Sequence, residues 1–251
     1  MSDLKKRNFA LFVSLGNEIR NFIHSGIHEK LRELGDCVVF SCKYSSVLEQ
    51  VCYENNLGLI YIPSGKIIRN TRNKGEDKFL SSRRARLRIN GIKTFQLLNE
   101  SSDVRLKDYL IGNRLVYKIY ELKNAKVVNT YYFSPELARC FTTYNITDIV
   151  FQGYSNPEIL TAAITATKLN INTWVINWGW KDFYINEYFN FQPKGFFTWS
   201  QTDKNQYCKF NAKLNESNVY TIGNLSFDKM CAPDQERNLK PYLEKYNITD
   251  G

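Results

Sequence analysis

The sequence lacks the features that mark three common classes of protein. It has no run of the roughly 18 to 20 apolar residues that a membrane-spanning helix needs, no CxxC pair among its six cysteines, and only two histidines. The first absence argues against a transmembrane protein, and the other two argue against a zinc site. The first seven residues are mostly polar or charged, unlike a secretory signal. We therefore expect a cytoplasmic protein whose cysteines are reduced.

The net positive charge of the chain comes from one segment. The 251 residues carry a net charge of +9. Residues 66–118 contain 14 Lys and Arg but 5 Asp and Glu, so this segment accounts for the whole excess. The rest of the composition, 43% hydrophobic and 14% aromatic overall, provides enough apolar side chains for a packed globular core.

The densest positive charge lies in a predicted helix over residues 77–98. Four arginines fall close together there: Arg83, Arg84, Arg86 and Arg88. Such a group is often only the solvated face of a helix. Its functional interpretations are contact with an anionic membrane surface or with an anionic acceptor. We expect no nucleic-acid partner, because the segment shows neither aromatics interleaved with the charge nor a recognisable nucleic-acid module.

The order of predicted elements indicates an α/β fold. In the first 65 residues, strands over 9–15, 37–42 and 57–62 alternate with a helix over 18–34 and a second helix that opens at Ser45 or Ser46. This alternation favours a parallel sheet. Right-handed crossovers would place the turn at Gly16 at the carboxyl edge of the sheet, where open α/β sheets bind ligands.

Residues 66–130 interrupt the alternation and form a predicted basic helical insertion. We expect helices over 77–98 and 102–122. Six apolar residues form the expected buried side of the second helix: Val104, Leu106, Leu110, Leu115, Val116 and Ile119. Residues 115–120 also suit a strand, because Val, Tyr and Ile favour strands.

Alternation resumes after residue 130. Predicted strands cover 148–152, 174–177, 195–200 and 218–222, and predicted helices cover 134–144, 157–169 and 201–214. About seven strands in all are enough for one doubly wound, Rossmann-like parallel sheet. An aromatic turn, Asn177-Trp178-Gly179-Trp180, comes after the strand at 174–177. The Asn177 amide, the accessible main chain at Gly179 and the flat tryptophan rings would suit a ligand bound at the carboxyl edge. The tryptophans would equally well cover the core of the domain.

Three stretches in this order carry a family resemblance. The aromatic turn is succeeded by Pro193-Lys194-Gly195-Phe196-Phe197-Thr198-Trp199-Ser200, and later by Ile222-Gly223-Asn224-Leu225-Ser226-Phe227-Asp228. This succession resembles the amino-terminal domain of GT-B glycosyltransferases, in particular bacterial enzymes that build capsules, lipopolysaccharide and related surface polymers. Polyol-phosphate transferases are similar too. Residues 20–26 look like the first helix of some members.

The resemblance implies one half of an enzyme. Residues 1–230 would form the acceptor-side domain, with 66–130 as its insertion, and 231–251 would be a linker to a carboxyl-terminal domain that binds the nucleotide sugar. The full enzyme would transfer a sugar to a saccharide or lipid-linked acceptor in cell-surface polysaccharide synthesis, in the cytoplasm at the inner face of the membrane. It would need no cofactor, and no metal because the sequence has no Asp-x-Asp element.

The resemblance also implies a base near the cleft, because the acceptor hydroxyl must lose a proton as it attacks the anomeric carbon. His24 is the first candidate, since imidazole titrates near neutral pH, and Glu18 is the second. An ordinary surface or packing role fits His24 as well. Further residues are implied to bind acceptor or donor: Gly16, Asn17, Arg20, Asn21, Gln152, Gly153, Tyr154, Asn156, Asn177, Trp178, Gly179, Trp180, Lys194 and Asn224.

A second class of function fits the same residues. The chain would then be a freestanding Rossmann-like binding module, or a subunit that depends on a partner, and would bind an anionic ligand without catalysing a reaction. The two hypotheses differ in the sequence expected beyond Gly251, because the enzyme requires a second α/β domain there and the binding module does not.

Overall fold

The computed structural model describes residues 7–14, 16–67, 78, 81–83, 85–86, 106–153, 156–177, 191–211 and 213–224. Within these residues the chain forms a seven-stranded sheet in which every strand is parallel to its neighbours. The strands are β1 (Arg7–Val13), β2 (Gly35–Ser41), β3 (Gly58–Tyr61), β4 (Asp148–Gln152), β5 (Asn172–Ile176), β6 (Gly195–Thr198) and β7 (Val219–Thr221). Their order across the sheet is β3-β2-β1-β4-β5-β6-β7. The predicted Rossmann-like, doubly wound α/β fold is confirmed.

Helices connect these strands. They are α1 (Gly16–Glu18), α2 (Ile27–Leu34), α3 (Ser46–Glu54), α4 (Ser64–Ile67), α5 (Leu106–Ile111), α6 (Arg114–Tyr131), α7 (Pro135–Thr143), α8 (Pro157–Lys168) and α9 (Gln201–Phe210). Their starts follow local chemistry, because side-chain oxygens at the N-cap accept otherwise unpaired main-chain N–H groups. Ser45 caps α3, Ser134 caps α7 and Asn156 caps α8 in this way.

The single helix predicted over residues 18–34 is wrong. Helix α1 continues as a π-helical segment, Ile19–His24, and the chain then breaks at Gly26, whose φ of 84° is left-handed, before α2 begins. His28 is buried, whereas Arg20 and His24 are exposed.

The basic insertion is helical where the structure describes it, but its predicted buried side is wrong. Residues 114–131 form helix α6, so the helical interpretation of 115–120 is confirmed over the strand. Leu106, Leu110 and Leu115 are 82%, 68% and 69% exposed, while Asp108 and Asn124 are buried. Helical periodicity marks an apolar side, but the neighbours that the helix packs against decide which side is covered.

The sheet has a core on each face. On one, here called the α8 face, side chains such as Phe12 and Phe151 pack with helices α7, α8 and α9. On the other, the α2 face, side chains such as Leu11, Val13 and Val150 pack with the π-helical segment and α3, and helix α2 packs at its side. Burial on both faces is what makes the strands of a parallel sheet read as continuous apolar runs.

A buried carboxylate ties three strands together at the amino edge of the sheet. Asp148 accepts hydrogen bonds from Trp174 Nε1 at 2.8 Å, Thr147 Oγ1 at 2.8 Å, Asn172 Nδ2 at 3.1 Å and Arg7 Nε at 3.0 Å, and Arg7 Nη2 also contacts it. Burial alone would raise the pKa of Asp148, but the hydrogen bonds from Arg7, Trp174 and Thr147, together with the Arg7 charge, lower it below its ordinary value.

Candidate functional site

The strand order reverses direction between β1 and β4. From β1 the chain winds outward to β2 and β3, and from β4 it winds the other way to β7. Helices on opposite faces therefore leave a crevice at the carboxyl ends of β1 and β4, which is the place where open α/β sheets bind ligands. Leu11 pairs with Val150, so Ser14 and Gly153, each three residues further on, lie side by side at this edge.

A buried carboxylate stands in this crevice. Glu18 is 3% exposed, and its Oε1 accepts a hydrogen bond of 2.9 Å from Ser14 Oγ. The Ser14 hydroxyl in turn accepts from Asn156 Nδ2 at 3.4 Å. Because the Asn156 amide donates to the Ser14 oxygen, the single hydroxyl proton of Ser14 is directed to Glu18. The relay joins the ends of β1 and α1 to the start of α8.

Gln152, the last residue of β4, is buried without a partner. Its side chain is 3% exposed, and neither Oε1 nor Nε2 makes a hydrogen bond. A buried amide left unsatisfied costs about 1–3 kcal/mol, so proteins rarely keep one without a reason. Gly153 comes next with a φ of 70° and donates its N–H to Ile176 O at 2.9 Å, which turns the chain away from the sheet.

Asn177 occupies the matching place after β5. It is 1% exposed; its Oδ1 accepts from Tyr207 Oη at 3.1 Å, and its Nδ2 makes no hydrogen bond. Side chains alternate along a strand, so Gln152 lies on the α2 face with Val150, and Asn177 lies on the α8 face with Val175. At this edge the amide oxygen and nitrogen of Gln152 are thus unpaired on the α2 face, and Asn177 Nδ2 is unpaired on the α8 face.

The π-helical segment places the other predicted residues of the first helix. Gly16, Asn17, Arg20 and His24 are exposed, and Asn21 is buried at 6% exposure. Segments of π-helix are rare and occur frequently at functional sites. Of the two predicted bases, Glu18 lies inside the crevice and His24 lies at the solvent-exposed end of the segment.

Lys194 lies away from the crevice. It precedes β6, and its N–H donates to Thr173 O at 2.8 Å at the amino end of the sheet. Lys194 therefore lies at the amino edge of the sheet, because position relative to the strand, and not the motif around it, decides the edge. Asn224 comes after β7 and lies at the carboxyl edge. Tyr154 and the Trp178-Gly179-Trp180 turn lie outside the described residues.

The predicted arginine patch is only partly described. Arg83 is 3% exposed, and the Arg86 guanidinium lies over the Tyr117 ring, 4.5 Å from its centroid. Arg83 is therefore buried and is not part of an exposed basic surface. Arg84 and Arg88 lie outside the described residues. A cation on an aromatic face gains both electrostatic attraction and packing, so Arg86 stabilises the insertion.

The described thiols are not activated nucleophiles. Burial raises the pKa of Cys42, near Glu158 at the carboxyl edge, to about 12, and Glu158 adds to the effect. Burial also raises the pKa of Cys37 to about 12 and that of Cys52 to about 11. Since the thiolate is the reactive form, the raised pKa values disfavour nucleophilic chemistry at these three free thiols.

Two features are absent from the described part of the chain. None of its helices is both long and apolar enough to cross a membrane. In the same residues, no three or more His, Cys, Asp or Glu side chains come together in a way that would hold a metal ion.

Ser14 is the residue of the crevice that the sequence interpretation missed. A polar side chain directly after an apolar strand, two residues before Gly16, was the available signal. Its importance depends on Glu18 four residues later and on Asn156 in a distant segment, and only the sheet brings that third partner into contact.

Comparison with known proteins shows the fold. No protein-family model and no curated protein matches the chain. Among solved structures, a putative UDP-N-acetylglucosamine 2-epimerase from Listeria monocytogenes is 11% identical, with a TM-score of 0.51 over 95% of this chain and 51% of that one. A Rickettsia africae glycosyltransferase is 13% identical (TM-score 0.47, 98% and 51% covered), and Acinetobacter baumannii MurG is 9% identical (0.40, 86% and 45%). The chain thus spans about half the length of these structures and shares with the first a Rossmann-like α/β fold.

Proposed function

We propose that this chain is the acceptor-side half of a GT-B enzyme that transfers a sugar from a nucleotide sugar to a saccharide or lipid-linked acceptor in cell-surface polysaccharide synthesis. The observation that carries the proposal is that two buried amides at the carboxyl edge, Gln152 on the α2 face and Asn177 on the α8 face, have unsatisfied hydrogen-bonding groups. A sugar presents hydroxyls that both donate and accept. A Gln amide facing two neighbouring hydroxyls would satisfy its N–H and its oxygen together.

Glu18 is the base in this proposal. The acceptor hydroxyl gives its proton to the Glu18 carboxylate as its oxygen bonds to the anomeric carbon and the nucleotide leaves. The Ser14 hydroxyl, 2.9 Å from Glu18 Oε1, fixes the orientation of the carboxylate, and Asn156 fixes that of Ser14. We place Glu18 ahead of His24 because the carboxylate is buried in the crevice, whereas the imidazole is exposed beyond it.

The nucleotide sugar would be held mainly by a second domain reached through residues 231–251. Gly16, Asn17, Arg20 and Asn21, at the start of the first helix, and Asn224, after β7, are the residues of this half placed to meet it. Neither a cofactor nor a metal takes part. The protein would act in the cytoplasm, with the basic insertion against anionic lipid at the inner membrane surface.

Binding is tested first on the 251-residue chain. Saccharides and nucleotide sugars are titrated against it by thermal shift and by saturation-transfer NMR, with Gln152→Met as the test variant and Gln201→Met, on the exposed start of α9, as the matched control. We expect at least one saccharide to raise the melting temperature of the parent and of Gln201→Met but not of Gln152→Met. Equal binding by all three proteins, or by none, contradicts the proposal.

Catalysis is tested on the protein that the coding sequence specifies when it is read past Gly251. Release of nucleotide from a panel of nucleotide sugars is measured with the saccharide that binds. Glu18→Gln keeps the shape of the crevice and removes the base, so we expect saccharide binding to persist and transfer to fall by about 10²–10⁴-fold. His24→Gln serves as the comparison and is expected to transfer at the parent rate.

The second candidate is a binding module without catalysis. The feature that favours it is that the relay and both amides lie within this one domain, so they suit ligand binding without a second half. It predicts saccharide binding that depends on Gln152 together with no nucleotide release in the presence of any donor. The same two experiments therefore separate the candidates.

A further inference from the structure

A polar cavity lies at the amino edge of the sheet, beside strands β5, β6 and β7. It has a volume of about 540 Å³, which is within the range of small-molecule sites. Residues from three segments line it, 167–173 after α8, 192–194 before β6 and 215–218 before β7, together with Tyr220. The length of β5, about 13 Å, separates this cavity from the crevice at the carboxyl edge. The two are therefore different sites.

A buried amide fixes the inner part of the cavity before any ligand binds. Asn218 lines the cavity and is 7% exposed. Its Nδ2 donates to Pro193 O at 3.4 Å and to Lys213 O at 3.2 Å, and its Oδ1 accepts from Asn215 N at 2.8 Å. These hydrogen bonds join the segments before β6 and β7. A preformed site loses less conformational entropy when it binds, so this arrangement favours a ligand.

Two exposed amides in the lining do not use their hydrogen-bonding groups. They belong to Asn170 and Gln192, and neither side-chain amide makes a hydrogen bond within the described residues. An amide can donate through its nitrogen and accept through its oxygen. Tyr220 adds an aromatic ring that is 44% exposed, and its Oη donates to Ser217 O at 3.1 Å, which holds the ring in place. The cavity thus combines groups that both donate and accept with one flat apolar surface.

The charges around the cavity favour a ligand without net charge. Lys194 is the one charged side chain among the described residues that line it. The carboxyl-terminal end of α8 lies at the same cavity, since Asn170 directly follows its C-cap, Leu169. A helix carries a partial negative charge at this end, which disfavours phosphate and carboxylate groups and offsets part of the lysine charge. A nucleotide is therefore a poor match for the cavity.

A neutral saccharide matches these groups well. Each of its hydroxyls can donate and accept, as the amides of Asn170 and Gln192 can, and the C–H face of a sugar ring can pack on an aromatic side chain. A peptide segment would bring apolar side chains, but most of the lining consists of amides and hydroxyls. The chemistry of the lining thus distinguishes between these classes of ligand.

We propose that this cavity is a second saccharide site and that it binds a neutral oligosaccharide. Asn170 and Gln192 bond to ring hydroxyls, Lys194 donates to a further hydroxyl, and Tyr220 packs on the face of a ring. The inference is independent of the proposed function, because none of these residues lies at the crevice. It also gives Lys194 a role at the amino edge of the sheet, where it lies.

The test uses two matched double variants of the 251-residue chain. Asn170→Gly with Gln192→Met removes both amides, and glycine readily adopts the left-handed φ of 56° at position 170. Asn56→Gly with Gln201→Met makes the same changes elsewhere, because Asn56 also follows a helix, with a φ of 52°, and both residues are exposed. The Kd values of cellotriose, maltotriose, mannotriose and chitotriose are measured from chemical-shift changes in isotope-labelled protein.

At least one of these trisaccharides should bind the parent. We expect its Kd to rise by about tenfold or more in the Asn170→Gly, Gln192→Met variant, because two hydrogen bonds are lost. The control variant should keep the parent Kd. The same binding should persist in Gln152→Met, which separates this site from the crevice. Binding at the crevice is accordingly titrated in the Asn170→Gly, Gln192→Met background, so the failure of one proposal is distinguishable from the failure of the other.

Several results would overturn the proposal. One is an equal Kd for the two double variants, and another is the absence of binding by every trisaccharide. Loss of the binding in Gln152→Met would assign it to the crevice instead. Uridine diphosphate tests the class of ligand. It should leave the side-chain amide signals of Asn170 and Gln192, identified by their loss in the double variant, unshifted. A shift of these signals would make the cavity an anion site and the saccharide assignment wrong.

Discussion

The two ends of strand β4 hold buried polar side chains in opposite environments. At the amino edge, Asp148 is fully buried and surrounded by donors from Arg7, Thr147, Asn172 and Trp174. At the carboxyl edge, Gln152 is almost as deeply buried and has no partner at all. The two residues are the first and the last of β4. They therefore share a strand and its neighbouring strands, and they are buried to nearly the same extent.

The difference separates a structural role from a binding role. A satisfied buried network stabilises the fold and is costly to break, whereas an unsatisfied buried amide destabilises the protein until something binds to it. On this argument the amino edge holds β1, β4 and β5 in register, and we propose that the carboxyl edge, with Gln152 and the unpaired Nδ2 of Asn177, binds a ligand. The comparison predicts that removing Asp148 and removing the Gln152 amide have opposite effects on stability.

The largest effect is expected at the amino edge. Asp148→Ala should lower the free energy of unfolding by about 3–5 kcal/mol, because it leaves buried donors without an acceptor. The loss should lie at the lower end of this range if water hydrates the Arg7 guanidinium once Asp148 is removed, because that side chain is 40% exposed. Urea denaturation followed by circular dichroism measures it. A loss below about 1 kcal/mol would mean that Asp148 does not hold the strands together.

The same carboxylate predicts an acid dependence. Its pKa is lowered on folding, so its contribution is complete above the ordinary Asp value of about 3.9 and is lost as pH falls through the lower pKa of the folded state. The difference in urea midpoint between the parent and Asp148→Asn should therefore be constant from pH 7 to pH 5 and shrink below pH 4. A difference that grows on acidification contradicts this sign.

A smaller effect is expected at Asn177, which is half satisfied. Asn177→Leu loses the hydrogen bond from Tyr207 but also removes the unpaired Nδ2, so we expect a net loss of about 1 kcal/mol or less. Tyr207→Phe is the matched control, because it breaks the same bond and leaves the amide in place. Tyr207→Phe should destabilise the protein more than Asn177→Leu does. The reverse order would show that the unpaired Nδ2 does not lower the stability.

Local sequence patterns predicted the sheet well. Residues 148–152 form β4 as expected, and the caps at Ser134 and Asn156 set the starts of α7 and α8. Alternating strands and helices, with right-handed crossovers, were sufficient to place Gly16 and Gln152 at one edge. Such features depend on a few neighbouring residues and on general rules of chain connection.

The remaining features depend on contacts that the sequence does not display. The π-helical turn at Ile19–His24 has no propensity signal of its own, and it exposes His24 while leaving Glu18 buried. The exposed leucines of α5 and α6 show that an apolar stripe does not specify its neighbour. Ser14 gains its role from Asn156, which is distant in the chain, so no local pattern identifies it.

The central claim, that the carboxyl edge is a binding site, is tested most directly by the stability of Gln152→Met, measured by urea denaturation beside Asp148→Ala. Methionine keeps a similar length and volume and removes the unpaired amide. The predicted result is unchanged or higher stability, by up to about 1–3 kcal/mol, together with loss of saccharide binding. A loss of stability approaching that of Asp148→Ala would show that Gln152 is a structural residue, and the assignment of this edge to ligand binding would be wrong.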